Sequence, residues 1–289
     1  MLCMEKIHRP KPLIMGILNV TPDSFSDGGL FSDQECALHH AQDMARQGAD
    51  IIDVGGESTR PGAAPTGAAA QIARVVPVIE SLRNLLPGDT LISVDTSLSE
   101  VAEAGLSAGA AIINDVTAGR TDPSLFSLVA ERGIPIVLMH MQGTPRTMQD
   151  DPRYLDVVEE VLGFLMERAD AAQTAGIPIE NIILDPGIGF GKRKEDNLVL
   201  LANLNRFVAT GYATLLGASR KRFMGAVCNE SRPRELLAAT VATTALGVMA
   251  GVNIFRVHDI RENRQAADVA FAIKQAGGKS PLPPFFKGG

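Results

Sequence analysis
Eight short apolar runs, spaced along nearly the whole chain and separated by longer helical patterns, leave this sequence very few folds. They are 13–19 (LIMGILN), 50–55 (DIIDVG), 91–95 (LISVD), 111–116 (AIINDV), 135–140 (PIVLMH), 181–185 (NIILD), 213–219 (ATLLGAS) and 253–258 (NIFRVH). Near-continuous Ile, Val and Leu without strict alternation marks strands covered on both faces, as in a parallel sheet. Parallel neighbours need crossovers of about a dozen residues or more. Helical patterns over 33–47, 68–86, 98–108, 154–175, 195–207 and 234–250 supply them, with Asp33 and Ser99 read as N-caps and Gly48, Gly133 and Gly176 as C-caps. Eight βα units between 13 and 275 match a single-domain (β/α)8 TIM barrel in number and size. A doubly wound open sheet is the alternative, because periodicity does not prove closure. The barrel domain is taken as 1–278, and the Pro/Gly-rich end, KSPLPPFFKGG (279–289), is expected to be disordered.

Charge and cysteines narrow the partners. Lys and Arg number 27 against 33 Asp and Glu, a net −6, and no stretch gathers like charge into a basic stripe. Nucleic acid and an anionic membrane surface are therefore not expected partners. An anionic ligand would have to be held by a few local cations and backbone donors. Cys3, Cys36 and Cys228 form no C-x-x-C pair, and MLCMEKIHRPKP has no apolar signal core, so a cytoplasmic protein is expected. The uncharged run Leu236–Phe255 is long enough to span a bilayer. Its Ala and Thr content, and its interruption by Gly251 and Asn253, favour a helix on the barrel wall followed by a strand.

In a barrel of this kind the active site forms at the carboxyl ends of the strands. Those ends carry Asn19, Asp53 with Glu57, Asp95, Asn114, His140, Asp185, Ser219 with Lys221, and Arg256 with His258. One polar strand end means little, but eight together point to a site. A flat heterocycle with adjacent N–H and NH2 donors would satisfy Asp185, and Asn114 can both donate and accept. Arg256 and His258 share a strand face, and two adjacent cations suggest phosphate recognition, with Arg60 joining from a neighbouring loop. The alternative pairs Arg256 internally with Asp53 or Glu57. Loops 21–29 (TPDSFSDGG) and 57–67 (ESTRPGAAPTG) suit lids, and Asp23, Asp27 and Asn19 offer hard oxygen ligands for Mg2+.

Two motifs fall short. GIGFGK (187–192) lacks the G-x-x-x-x-G-K-[ST] spacing of a phosphate loop, and GASRK (217–221) is not a nucleophile elbow. His39 and His40 fall on an outer helix, His8 precedes the fold, and His140 is a core group or one standing behind the site.

Taken together, MGILNVTPDSFSDGG (15–29), IIDVGGESTRPGA (51–63), SVDT (93–96), IINDV (112–116), LMHMQGTPRTMQ (138–149), LDPGIGFGK (184–192), SRK (219–221) and RVHD (256–259) strongly resemble the bacterial dihydropteroate synthase family of folate synthesis. The resemblance implies a barrel that joins 6-hydroxymethyl-7,8-dihydropterin diphosphate to 4-aminobenzoate with Mg2+. It implies a pterin held by Asp95, Asn114, Asp185 and Lys221, of which Asp95, Asp185 and Lys221 would be catalytic. It also implies Asn19 on Mg2+, with Asn19, Thr59, Arg60, Arg256 and His258 about the diphosphate. Thr59, Pro61, Phe190, Lys221 and Arg222 would line the aminobenzoate site, where sulfonamides would compete. A homodimer built on outer helices is implied as well. One position departs: family members usually place Ser after SRK, where this chain has Arg222, and reduced sulfonamide affinity is the expectation. The competing readings are a related pterin-binding barrel that moves a methyl group from a folate to a corrinoid, and a non-catalytic barrel.

Overall fold
The computed structural model describes residues 2–21, 29–58 and 64–279. Its strands are β1 (Leu13–Asn19), β2 (Ile51–Gly55), β3 (Leu91–Asp95), β4 (Ile112–Asp115), β5 (Ile136–Met139), β6 (Ile182–Asp185), β7 (Ala213–Leu216) and β8 (Ile254–Val257). All are parallel, in sequence order, and β8 pairs back onto β1 through Leu13–Ile254 and Met15–Arg256, so the sheet closes. The open-sheet alternative is excluded.

The helices are α1 (Leu2–Ile7), α2 (Gly29–Arg46), α3 (Ala68–Leu85), α4 (Ser99–Ala108), α5 (Ser124–Arg132), α6 (Val157–Thr174), α7 (Lys194–Ala202), α8 (Leu204–Val208), α9 (Arg222–Cys228), α10 (Leu237–Ala250) and α11 (Ile260–Lys279). Strand residues alternate between two cores. Outward-facing Ile14, Ile52 and Val94 meet Met44, Val75 and Ile79 of the helices. Inward-facing Leu13, Met15, Ile51, Leu91, Ile112, Val137, Ile183, Leu215 and Ile254 fill the barrel.

Several local expectations change. α1 is a short helix that the sequence did not announce. Its Ile7 is buried in the inner core, closing the barrel end opposite the site. Lys6, Arg9 and Arg264 converge there on Asp50, with Lys6 also donating to the Asp89 carbonyl. The 195–207 pattern breaks at Asn203 into α7 and α8. Ser99 is the first residue of α4 rather than its cap, and its hydroxyl donates to Asp122 at 2.6 Å. Asp33 lies within α2. Gly133 is the left-handed C-cap of α5 at φ +62°. In the uncharged run, α10 ends at left-handed Gly251 (φ +105°) and β8 follows. Among the described residues no helix is long and apolar enough to cross a membrane. α11 continues through Lys279, so the expected tail begins no earlier than 280, and residues 280–289 lie outside the described residues.

Candidate active site
The parity that turns Leu13 and Met15 inward also brings Asn19 to the barrel mouth, and it does the same on every strand. Asp53 and Gly55, Ser93 and Asp95, Asn114, Met139, Asp185, Gly217, and Arg256 with His258 all fall on the interior set. Register aligns the tips: Asn19 stands opposite Gly55, Gly55 opposite Asp95, Asp95 opposite Asn114, and Met139 opposite Asp185. Two glycines leave the space between them open. A Cβ on Gly55 would lie 3.5 Å from Asn19 Oδ1 and 3.6 Å from Asp95 Oδ2. One on Gly217 would lie 3.7 Å from Asp185 Oδ2 and 3.9 Å from Arg256 Cβ. Asp185 and Arg256 therefore border one crevice.

The cation expected to await a phosphate is already engaged. Arg256 Nε donates to Asp53 Oδ2 at 2.6 Å, and its Nη2 donates to Asp95 Oδ2 at 2.7 Å. Asn114 Nδ2 donates to the same Asp53 oxygen at 2.9 Å. The internal pairing with Asp53 is thus the one present, while Glu57 accepts from the Thr66 amide and Gln71 instead. Asp53 Oδ1 and Ser93 Oγ, register neighbours on the inner face, are buried without hydrogen-bond partners. His258 does not supply a second cation. Burial, reinforced by Arg220 and Arg256, pushes it down to about 3, and its neutral ring shares a 3.0 Å hydrogen bond with Ser219 Oγ. The adjacent-cation expectation is corrected on this ground.

On the other side of the crevice, burial raises Asp185 to about 6, against the pull of the Gly187 N–H (2.7 Å), Lys221, Lys192 and Arg256. Asp95 is also raised, by burial first and then by nearby carboxylates, with Arg256 opposing. Lys221 is lowered to about 8 by burial and by Arg256, with Asp185 opposing. Its Nζ lies 3.9 Å above the centre of the Phe190 ring, a cation–π contact. Phe190 in turn rests on Val116, Met139, Met141 and Met148. Arg222 opens α9 and is exposed. Asp115, beside Asn114 in sequence, points the other way and binds Ser97, Thr117 and Gly119, which fixes the turn after β4.

Thr59, Arg60 and Pro61, and Asp23 and Asp27 of the first loop, lie outside the described residues, so the lid expectation for 21–29 and 57–67 is placed only at its edges. Sequence reasoning passed over Lys192. It is buried, its Nζ sits 2.9 Å from His140 Nδ1, and it bonds the carbonyls of Gly187, Phe190 and His140. The available signal was a lysine closing three alternating glycines, read only as a failed phosphate loop. His140, pushed down to about 2 by burial, Lys192 and Arg120, is neutral and stands behind the site.

Among the described residues no cluster of three or more His, Cys, Asp or Glu could hold a metal. Asn19 contributes one hard amide oxygen at the mouth, beside Asp95. That donor set suits Mg2+ carried by substrate phosphates and water, which is how this ion is ordinarily held.

A closed parallel barrel with buried carboxylates, an arginine and two lysines gathered at the carboxyl ends of its strands has the architecture of a barrel enzyme. Residues 15–258 match the family model described as pterin binding enzyme, and the chain belongs to that family. It is 45% identical over 271 residues to the dihydropteroate synthase of Bacillus subtilis, covering 94% of this chain and 92% of that protein. Against the Escherichia coli enzyme of the same name the figures are 44% over 265 residues, 92% and 93%. The chain spans about half (53%) of the mitochondrial folate synthesis bifunctional protein of Pisum sativum, at 44% identity over 91% of this chain. Among solved structures, Yersinia pestis dihydropteroate synthase with a sulfonamide drug complex superposes at a TM-score of 0.86 with 41% identity, covering 92% of this chain and 95% of that one. The Xanthomonas albilineans enzyme with 4-aminobenzoic acid gives 0.85 and 43%, covering 96% and 98%.

Proposed function
We propose that this chain is a dihydropteroate synthase, a transferase that condenses 6-hydroxymethyl-7,8-dihydropterin diphosphate with 4-aminobenzoate to give 7,8-dihydropteroate and diphosphate. The observation that carries the reading is the shared crevice: Asp185 and Arg256 flank Gly217, with Asp95, Asn114 and Lys221 around the same opening.

The pterin edge donates to Asp185 and meets Asn114, while Lys221 adds a charged donor on the far side. Breaking the methylene C–O bond develops positive charge beside buried carboxylates and negative charge on the leaving diphosphate, so fixed groups at each end stabilise the separation. The arylamine nucleophile is neutral near pH 7 and needs positioning more than activation, which Phe190 and Lys221 supply. Mg2+, held through Asn19 and the diphosphate, would neutralise leaving-group charge. Arg256 reaches the diphosphate only by giving up part of its hold on Asp53 and Asp95. Arg222 stands at the exposed end of the aminobenzoate site, where it replaces the family's serine. Equal sulfonamide inhibition of the native protein and Arg222→Ser would remove a role for it in drug sensitivity.

Mixing the two substrates with purified protein is expected to release diphosphate and dihydropteroate, to require Mg2+ and to be inhibited by a sulfonamide. No turnover would leave the non-catalytic barrel. Methyl transfer from a folate to a corrinoid would leave the related methyltransferase, which has no use for Lys221 facing a diphosphate.

A homodimer and a cytoplasmic location belong to the same proposal. α10 and α11 line an open apolar groove of about 790 Å3 with Val241, Ala245, Val269 (60% exposed) and Ile273 (59%), and α10 also exposes Leu246 (66%) outside that lining. A patch of this kind on a soluble barrel marks an association surface, and self-association about a two-fold axis suits it. Leu246→Glu with Val269→Glu is expected to shift the mass measured by light scattering from dimer to monomer. An unchanged mass would move the interface elsewhere.

A further inference from the structure
The loop Pro186–Lys192 looks like a phosphate cradle and is built the opposite way round. A phosphate loop turns amide N–H groups inward toward an anion. Here the carbonyls turn inward toward a cation. Lys192 Nζ takes Gly187 O at 2.9 Å, Phe190 O at 3.0 Å, His140 O at 3.3 Å and His140 Nδ1 at 2.9 Å, and no carboxylate pairs with it among the described residues. Three ammonium hydrogens shared among four acceptors offset part of the cost of burial, which still pushes Lys192 down to about 7 against the pull of Asp185 and Asp196.

The cage leaves its own loop almost no slack. Gly187, Gly189 and Gly191 are left-handed at φ +66°, +83° and +61°. A Cβ on Gly187 would collide with His140 O at 1.9 Å, and one on Gly191 with Gln142 O at 2.5 Å. The chain after β5 and the loop are therefore in close backbone contact at both the first and the last of these glycines. The rest of the loop is held from outside: Asn197 Oδ1 accepts from the Gly189 N–H at 2.6 Å, Gln149 donates to Gly189 O, and Tyr154 donates to Gly191 O. Two site contacts hang on this one segment. The Gly187 N–H grips Asp185 Oδ1, and Phe190 carries the Lys221 ammonium on its ring.

The structure assigns Lys192 as a positioning residue, the internal hydrogen-bond donor around which the 186–192 loop closes so that Phe190 is presented to Lys221 and Gly187 to Asp185. Its consequence for turnover rests on the function proposed above; its geometric part does not. A structural prop alone would be replaceable by any side chain that fills the space. A cage of acceptors needs the hydrogens that Nζ donates.

The test uses the full-length protein with lysine ε-carbons labelled with 13C. Protons over an aromatic face are displaced upfield, so the Lys221 ε-CH2 resonance reports its seat on Phe190, with Lys221→Arg assigning the signal and Phe190→Leu abolishing the displacement. Lys192→Met, which keeps the volume and removes the donors, is expected to return the Lys221 signal to the unshifted lysine position and to raise KM for 4-aminobenzoate roughly tenfold or more. Should Lys192→Met fail to fold by circular dichroism, Lys192→Gln is read instead. Its two in-plane donors cannot serve four acceptors, and the same loss of shift is expected. A folded variant whose Lys221 signal stays upfield overturns the assignment. A signal that collapses while KM for 4-aminobenzoate holds supports Lys192 as the tie and instead overturns the placing of that substrate on Phe190.

Discussion

Asp185→Ala should lower kcat/KM by about 100-fold or more, because it removes a positioned, charged acceptor from a site shielded from water. The carboxylate is buried at the tip of β6, held by the Gly187 N–H, and bordered by Lys221, Lys192 and Arg256. Its loss leaves the ring donors of the pterin unpaired and three cations less well balanced. Asp185→Asn separates these effects: it keeps the shape and one acceptor while removing the charge. Activity of Asp185→Asn close to that of Asp185→Ala would show that the charge is what matters. Near-native turnover in both would contradict the assigned role. In the native protein, burial lifts Asp185 to about 6. The acid limb of the kcat/KM profile is accordingly expected near that pH, with activity falling as the carboxylate takes up a proton below it.

Arg256→Ala is expected to do more damage to stability than any other single change at the mouth. The guanidinium is the partner of both Asp53 and Asp95, and Asp53 is fully buried. Removing one member of a buried ionic network leaves uncompensated charge and costs about 3–5 kcal/mol. The sign of the pH dependence follows from Asp95. Its folded pKa is raised to about 7 even with Arg256 present. Between the ordinary carboxylate range and that value the folded state binds more protons than the unfolded one, so stability falls as pH rises through the window. Without Arg256 the rise is larger. The deficit of Arg256→Ala measured by urea titration should therefore be greatest at neutral pH and above, and should shrink as pH falls toward 5. A deficit independent of pH would show that the cost is lost packing instead. The same variant should bind the pterin diphosphate less tightly than the unphosphorylated pterin relative to the native protein. Equal losses by calorimetry would take Arg256 away from the diphosphate.

Much of the frame was legible because parallel strands and their helices have different periods. The runs 13–19 and 91–95 are β1 and β3 themselves, and the other six contain their strands with at most three residues to spare at either end. Closure was not legible, since pairing of Leu13 with Ile254 joins residues at opposite ends of the chain. Nor was α1, whose six residues are too short for a clear helical period, and of the nine-residue α5 only the end showed, through its C-cap Gly133. At the site, strand spacing put Arg256 and His258 on one face but said nothing of what lies across the barrel. Asp53, 203 residues away from Arg256 in sequence, takes up its guanidinium, and burial with Arg220 alongside keeps His258 neutral. Lys192 escaped because its partners are backbone carbonyls, which every residue carries and no motif records.

The small helix α1 has a bearing on kinetics. With Ile7 seated beneath the aliphatic layers that fill the barrel, that end is sealed among the described residues, and a ligand of the proposed site would enter from the end that carries Asn19 and Lys221. On the proposed function, a ring bound deep between Asp95 and Asp185 would then have to arrive before a compound placed on Phe190. An inhibitor lodged over that ring would imprison its deeper neighbour rather than merely compete for space.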